Sequence, residues 1–331
     1  MKTKSMPLAC LSILFLAFSN LTAQEGKISG YMFGDYFYEF SHPDPAIDTM
    51  NRNGFQFRRI YFTYDRELSE SFAVRFRLEI NSPNFGRNDQ LVPYVKHAYL
   101  SWKNLIPEGK LYFGLSNTPT FLLSDEIWGY RSVEKTIMDL RGIASSADFG
   151  VALEGKFTSS GVLNYHLLLA NGAGTRGETD ANKRLYLSVP IKMQKAYFVV
   201  PYVDYESGND GRGKNLLALF AGMQKPNFHG GLEVFQKINN EALPNNADRT
   251  EFGLSIFGAV KTSEKIKLLG RFDIFDPNTD LDDDGNTFII AGLDFAPEKN
   301  VNLIPNIKIE SYQQDGRNSN TVGALTLFFR F

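Results

Sequence analysis

The stretches that join this chain's apolar segments alternate strictly between short and long. Short turns are Ser69-Glu70-Ser71, Thr158-Ser159-Ser160-Gly161, Gln194-Lys195, Lys225-Pro226-Asn227 and Pro297-Glu298-Lys299-Asn300. Long polar connections at 41–53, 81–93, 239–249 and 276–286 fall between them. The joined segments are about ten residues long and alternate apolar with polar residues, the period-2 signature of a strand. Val74, Phe76, Leu78 and Ile80 interleave with Arg75, Arg77, Glu79 and Asn81. Leu185, Leu187, Val189 and Ile191 interleave with Arg184, Tyr186, Ser188 and Lys192. Strands are expected near 27–40, 54–66, 72–81, 94–103, 109–117, 147–157, 162–172 and 184–193. A second half adds 196–206, 215–224, 228–238, 249–260, 265–275, 287–296, 302–312 and 321–331.

Periodicity alone does not separate a soluble sandwich from a membrane barrel, because the two differ only in which face meets water. The connections separate them. A Greek-key sandwich has no cause to alternate its loop lengths, whereas a membrane barrel places tight turns on one side and long loops on the other. The expected fold is all-β, a transmembrane antiparallel barrel of about 16 strands. Lipid leaves no solvent for an unpaired backbone group, so the strand at 27–40 is expected to close the sheet on the last one.

Composition agrees. Hydrophobic residues make up 43% of the chain and aromatics 14%, spread along its length. Lys+Arg 35 stand against Asp+Glu 37 without a clustered basic excess, which argues against a nucleic-acid partner. Lys2 and Lys4 precede an apolar run from Pro7 to Phe18, and Leu21-Thr22-Ala23 offers a small-residue cleavage site. That run is shorter than the roughly 20 residues a spanning helix needs. It is expected to be a secretory signal over 1–23, followed by the barrel over 24–331. The single cysteine, Cys10, lies inside the signal, so disulfides and thiol chemistry are excluded from the mature chain.

The last segment, 323–331, puts Phe331, Phe329, Leu327 and Leu325 on one face and Arg330 and Thr326 on the other. An alternating final strand with a terminal aromatic resembles the signal by which bacterial outer-membrane barrels are recognised for insertion. Phe331 and Phe329 are the candidate assembly signal. The partners so implied are the barrel-assembly machinery, periplasmic chaperones and the lipid bilayer.

One connection is far longer than ordinary loops: 118–146, between the fifth and sixth strands. It carries Asp125, Glu126, Arg131, Glu134, Lys135, Asp139 and Arg141, with Trp128 and Tyr130 as candidate anchors. In this it resembles general porins, whose pore-constricting loop joins the same two strands and folds into the barrel. The bland alternative is a surface loop. Arg59, Arg75 and Arg77 share inward parity, and a basic wall facing an acidic loop would set a transverse field at a constriction.

Phe55-Gln56-Phe57-Arg58-Arg59-Ile60-Tyr61-Phe62 and the strand from Phe72 to Glu79 resemble the early strands of the phosphate-selective porin family. The segments 109–119, 145–151 and 270–278 resemble it too, and the likeness is nearest to members from Bacteroidota-type bacteria. The resemblance implies an outer-membrane channel for small anions or general solutes, often a homotrimer, and no enzyme. The sequence departs from a phosphate filter in that its inward positions hold basic and acidic residues in near balance.

Two other functions stay open: a plugged barrel whose loops bind a partner, and, more distantly, a hydrolase using Ser188 and His166, for which no third residue is evident. Asp280-Leu281-Asp282-Asp283-Asp284-Gly285 matches the start of a calcium loop. The acid required at its twelfth position is replaced by Ala291, which leaves Asp280, Asp282 and Asp284 as a weak Ca²⁺ candidate. No other cofactor is implied. The four histidines lack metal-ligand spacing.

Overall fold

Alternating segments of this length become strands, and the strands close on one another. The computed structural model describes residues 25–47, 52–81, 91–209, 212–243 and 247–331. The expected signal segment lies outside these residues. The first half contains β1 (Lys27–Ser41), β2 (Asn53–Glu67), β3 (Phe72–Asn81), β4 (Tyr94–Lys103) and β5 (Lys110–Asn117). Two short helices follow, α1 (Leu122–Trp128) and α2 (Ile137–Leu140). Next come β6 (Ala147–Lys156), β7 (Asn164–Ala170), β8 (Arg184–Ser188), β9 (Ile191–Met193) and β10 (Tyr197–Glu206). The remainder is β11 (Lys214–Lys225), β12 (Phe228–Asn239), β13 (Arg249–Ser263), β14 (Ile266–Asp276), β15 (Asn286–Glu298), β16 (Val301–Tyr312) and β17 (Asn320–Arg330).

Every neighbouring pair is antiparallel, and β1 pairs with both β2 and β17, so the sheet is a closed barrel. The assignment of 17 strands is consistent with sixteen spans. β8 and β9 both pair with β10 and together form one crossing. Pro190, which has no N–H to give the ladder, splits them. Ten residues rising about 3.3 Å each, tilted about 40°, cover roughly the 25 Å apolar band of such barrels.

The burial pattern settles which face meets water. Outward residues are large and apolar: Leu217 is 62% exposed, Phe113 57% and Ile256 54%. Inward positions hold charge: Asp273 is 0% exposed, Glu79 1% and Arg271 4%. A soluble protein has the reverse distribution. Only a bilayer accounts for a continuous apolar exterior around a charged interior.

The closing seam is fastened past the end of β17, where Phe331 and Gly30 exchange two backbone hydrogen bonds of 3.0 Å. The Phe331 ring lies over Gly30, where any Cβ would sit 2.4 Å from the ring and 2.4 Å from the Tyr61 carbonyl oxygen. Gly30→Val is therefore expected to cut the yield of folded barrel, read as loss of the heat-modifiable band on electrophoresis. A barrel formed in undiminished yield would show that the seam tolerates side chains there.

Candidate functional site

The segment between β5 and β6 folds into the barrel and fastens to its wall. α1 ends where Gly129 takes a left-handed conformation (φ 67°) and returns its N–H to the Asp125 carbonyl. Ile127, Trp128, Tyr130 and Val133 then pack onto Phe198, Val200, Phe220, Phe257, Leu269, Phe288, Ile290 and Ile304, inward residues of β10, β11, β13, β14, β15 and β16. A second cluster joins Phe121, Ile137, Met138 and Ile143 to Leu168, Tyr186, Tyr202, Leu216, Phe235 and Phe275. The lumen thus has two unlike halves. From β7 to β16 its inner wall is largely apolar and covered by the loop; from β1 to β6 it is mainly polar.

Polar ties complete the attachment. The Trp128 indole N–H donates to the Glu134 carbonyl at 2.8 Å, and the Tyr130 hydroxyl to Asp294 Oδ2 at 3.1 Å. The Thr120 and Tyr202 hydroxyls are 2.9 Å apart. The Arg271 guanidinium donates to the Lys135 carbonyl, and Lys96 Nζ to Ser146 Oγ at 2.7 Å. Within the loop, Arg131 bridges Asp125 and Asp139, each at 2.5 Å. Burial works against the Arg131 charge, but Asp125 and Asp139 outweigh it and raise its pKa.

These ties decide what each candidate residue can do. Glu134 pairs with Lys308 at 3.2 Å, Arg141 with Glu310 at 2.6 Å, and Lys135 lies 3.8 Å from Asp139. Asp125, Arg131, Glu134, Lys135 and Arg141 are accordingly engaged in fastening the loop. Glu126 differs: it is exposed, and no ion pair engages it among the described residues. On the facing wall Arg59 is buried against Glu79 at 2.9 Å, and Arg75 forks onto Asp65 at 2.7 and 2.9 Å. Arg77 donates to the Thr63 hydroxyl and lies over the Tyr61 ring at 5.1 Å, with no carboxylate partner among the described residues. Arg77 and Glu126 both line a cavity of about 440 Å³ between loop and wall, together with Lys96, Arg131 and Arg330.

Strict parity missed two inward cations. A β-bulge in β2 places Arg58 inward beside Arg59, 2.5 Å from Asp35 and donating to the Val133 carbonyl at 2.9 Å. A second bulge, in β4, buries Lys96 next to His97. Neither bulge has a sequence mark beyond adjacent polar residues where one should face lipid.

The hydrolase candidates do meet. His166 stands opposite Ser188 across β7 and β8 and opposite Glu154 across β6 and β7. His166 Nδ1 is 3.4 Å from Glu154 Oε1, so a third residue is present. Yet His166 Nε2 has no hydrogen-bond partner among the described residues, and the Ser188 hydroxyl is not held for proton transfer. Around the calcium candidates Asp280, Asp282 and Asp284, as elsewhere among the described residues, no group of three metal-ligating side chains is present.

No protein-family profile matches the sequence, and a search of curated proteins finds no relative. Solved structures match the fold. The outer membrane channel DcaP of Acinetobacter baumannii gives a TM-score of 0.68 at 10% identity, covering 93% of this chain and 97% of that one. An anion-selective porin from Comamonas acidovorans gives 0.65 at 11% identity, covering 93% and 99%. In-vitro folded OmpT of Vibrio cholerae, in a trimer form, gives 0.62 at 12% identity, covering 93% and 99%. At such identities the likeness is one of fold: the chain has the fold of outer-membrane porins.

Two predictions concern the loop. Trp128→Ala removes its largest fully buried side chain and should cost about 3–5 kcal/mol. The expected result is protease cleavage within 118–146 in a barrel that still resists dissociation by detergent; an uncut loop would show that Trp128 is not its anchor. The second concerns acid. Burial opposes the Glu134 charge, but Lys308 and Arg58 hold its carboxyl down to about 2, against an ordinary value of 4.5. A depressed carboxylate stabilises the docked loop fully above 4.5 and loses that effect as pH falls toward 2. Tryptophan fluorescence should report undocking in that window, and Glu134→Gln should flatten the transition.

Proposed function

We propose that the chain is an outer-membrane porin through which small hydrophilic solutes diffuse passively. The observation that carries this reading is the two-sided lumen: a loop fixed to an apolar half-wall, facing a charged half-wall across open volume. A barrel that only anchored surface loops would gain nothing from holding unpaired charges on that volume. The porin fold of its structural neighbours supports the same reading. An outer-membrane location, a homotrimeric assembly and recognition of Phe331 and Phe329 by assembly factors and periplasmic chaperones belong to it as well. No enzymatic step is proposed.

Selectivity should lean weakly toward anions. Of the inward arginines on the facing wall, Arg58, Arg59 and Arg75 are each matched by a carboxylate, while Arg77 is not. Arg330, on the same cavity, is exposed and has no carboxylate partner among the described residues. Two unmatched cations facing Glu126 favour small anions in general. A phosphate filter would want a larger set of unmatched donors.

The tight seating of the loop favours one other reading, a plugged barrel that presents its extracellular loops to a partner. A planar bilayer under a KCl gradient separates the two. A stable open channel with a small anion-signed reversal potential is expected, and folded protein without conductance would replace the porin reading by the plugged one. Arg77→Glu should move the reversal potential toward cations. Arg75→Glu should move it less, since it removes a charge already matched by Asp65. Equal shifts would show that ion pairing does not silence Arg75.

A further inference from the structure

Beneath α1, on the other side of the loop from Arg77, lies a second cavity of about 380 Å³. One flank is apolar, built from Phe121, Leu122 and Leu123 of the loop and Val200, Ala218 and Phe220 of the wall. Two buried polar side chains on the lining, Glu233 and His166, each leave one atom without a hydrogen-bond partner among the described residues. Glu233, on β12, is 1% exposed; its Oε1 accepts from the Ser124 hydroxyl at 2.9 Å, while its Oε2 has no hydrogen-bond partner among the described residues. No ion pair engages Glu233 among the described residues. His166 is 6% exposed, and its Nε2 is also without a partner among the described residues.

A carboxyl buried without a cation is costly to ionise, and a cation placed against it offsets that cost. The remaining charges lining the cavity do not relieve it. Lys156 pairs with Glu108 at 2.6 Å, and Glu154 is engaged by Tyr112 and His166. Glu126 and Lys110 complete the set, so carboxylates outnumber ammonium groups on the lining. A cavity with an acidic focus and an apolar flank fits one ligand chemistry. We propose that it binds a small organic ammonium with an apolar or aromatic body. The ammonium would donate to Glu233 Oε2, and the body would rest against Phe121, Leu123 and Phe220. A bare metal ion fits poorly: one carboxylate and one hydroxyl supply too few oxygen ligands for calcium or magnesium.

The inference deepens the porin reading by naming a class of solute, and it rests on the lumen being open to water. Binding and conductance can be read separately. Wild-type barrel in detergent would be titrated calorimetrically with 2-phenylethylamine and with its neutral counterpart 2-phenylethanol. The amine should bind at least about tenfold tighter, which is about 1.4 kcal/mol. Glu233→Gln, which keeps an acceptor for Ser124, should erase that preference while leaving the alcohol unchanged. Equal binding of amine and alcohol, or a preference that survives Glu233→Gln, overturns the inference. Should that variant not fold, Ala218→Leu carries the test by filling the cavity, and unaltered amine binding to it has the same force. A barrel that conducts but shows no amine preference sinks this inference alone. Amine binding without conductance sinks the porin reading and leaves the site standing.

Discussion

The structure depends on one demand: in lipid, each strand must give all its backbone hydrogen bonds to neighbouring strands. An unpaired N–H or C=O in hydrocarbon costs several kcal/mol, so an open edge is not a stable option. The pairing of β1 with both β2 and β17 meets the demand, and the bonds between Gly30 and Phe331 carry it past the last strand. Much else follows. With the edges gone, the two faces of the sheet become an outside and an inside, and the period-2 pattern sorts apolar from charged side chains between them. Gly30 is small because the Phe331 ring and the Tyr61 carbonyl oxygen both occupy the space where a side chain would stand.

Closure leaves an interior that must be filled or wetted, and this chain does both. The inward residues of β10 and β11 include Phe198, Val200 and Phe220, those of β13, β15 and β16 include Phe257, Phe288, Ile290 and Ile304, and all are buried beneath the loop. Each such side chain removed from water is worth about 1.5–3 kcal/mol. That is ample to hold an inserted segment of this length against its loss of conformational freedom. The β1–β6 side instead spends its inward positions on Asp35, Arg59, Thr63, Glu79 and Lys96. On the porin reading, the path for small anions follows the polar wall, and the loop takes up most of the apolar side.

Much of this was legible in the sequence, and what was not has physical causes. Strand positions, the even number of crossings, closure of the first strand on the last and the inward parity of Arg59, Arg75 and Arg77 follow from period 2 and loop length. Three kinds of information do not. A β-bulge shifts parity by one residue without altering composition, which is why Arg58 and Lys96 were invisible as lumen residues. Pro190 divides a crossing that reads as continuous because its flanks still alternate. The apolar half of the lumen was hidden by an assumption that inward means polar. Its mark was present all the same: 197–200, 216–220 and 288–291 are apolar at successive positions, as strands with two covered faces are.

The same reasoning decides which charges matter. Counting inward residues by sign treats every arginine as equivalent, and on that count the lumen is nearly neutral. A guanidinium forked onto a carboxylate, as Arg75 is onto Asp65 or Arg184 onto Asp204, presents little net field a few ångströms away. On the porin reading, what a passing solute meets is the unmatched remainder: Arg77 and Arg330 on one side of the loop, Glu126 on both cavities, and Lys110 and Glu233 on the other. The remainder is small, and it is unevenly placed. On the readings proposed above, Arg77 and Arg330 favour anions in the cavity beside β1–β4, and Glu233 favours an organic ammonium in the cavity beneath α1. On that reading, pairing more than composition sets the selectivity of this lumen. Pairing is a property of which strands lie side by side, and it is fixed only once the barrel has closed.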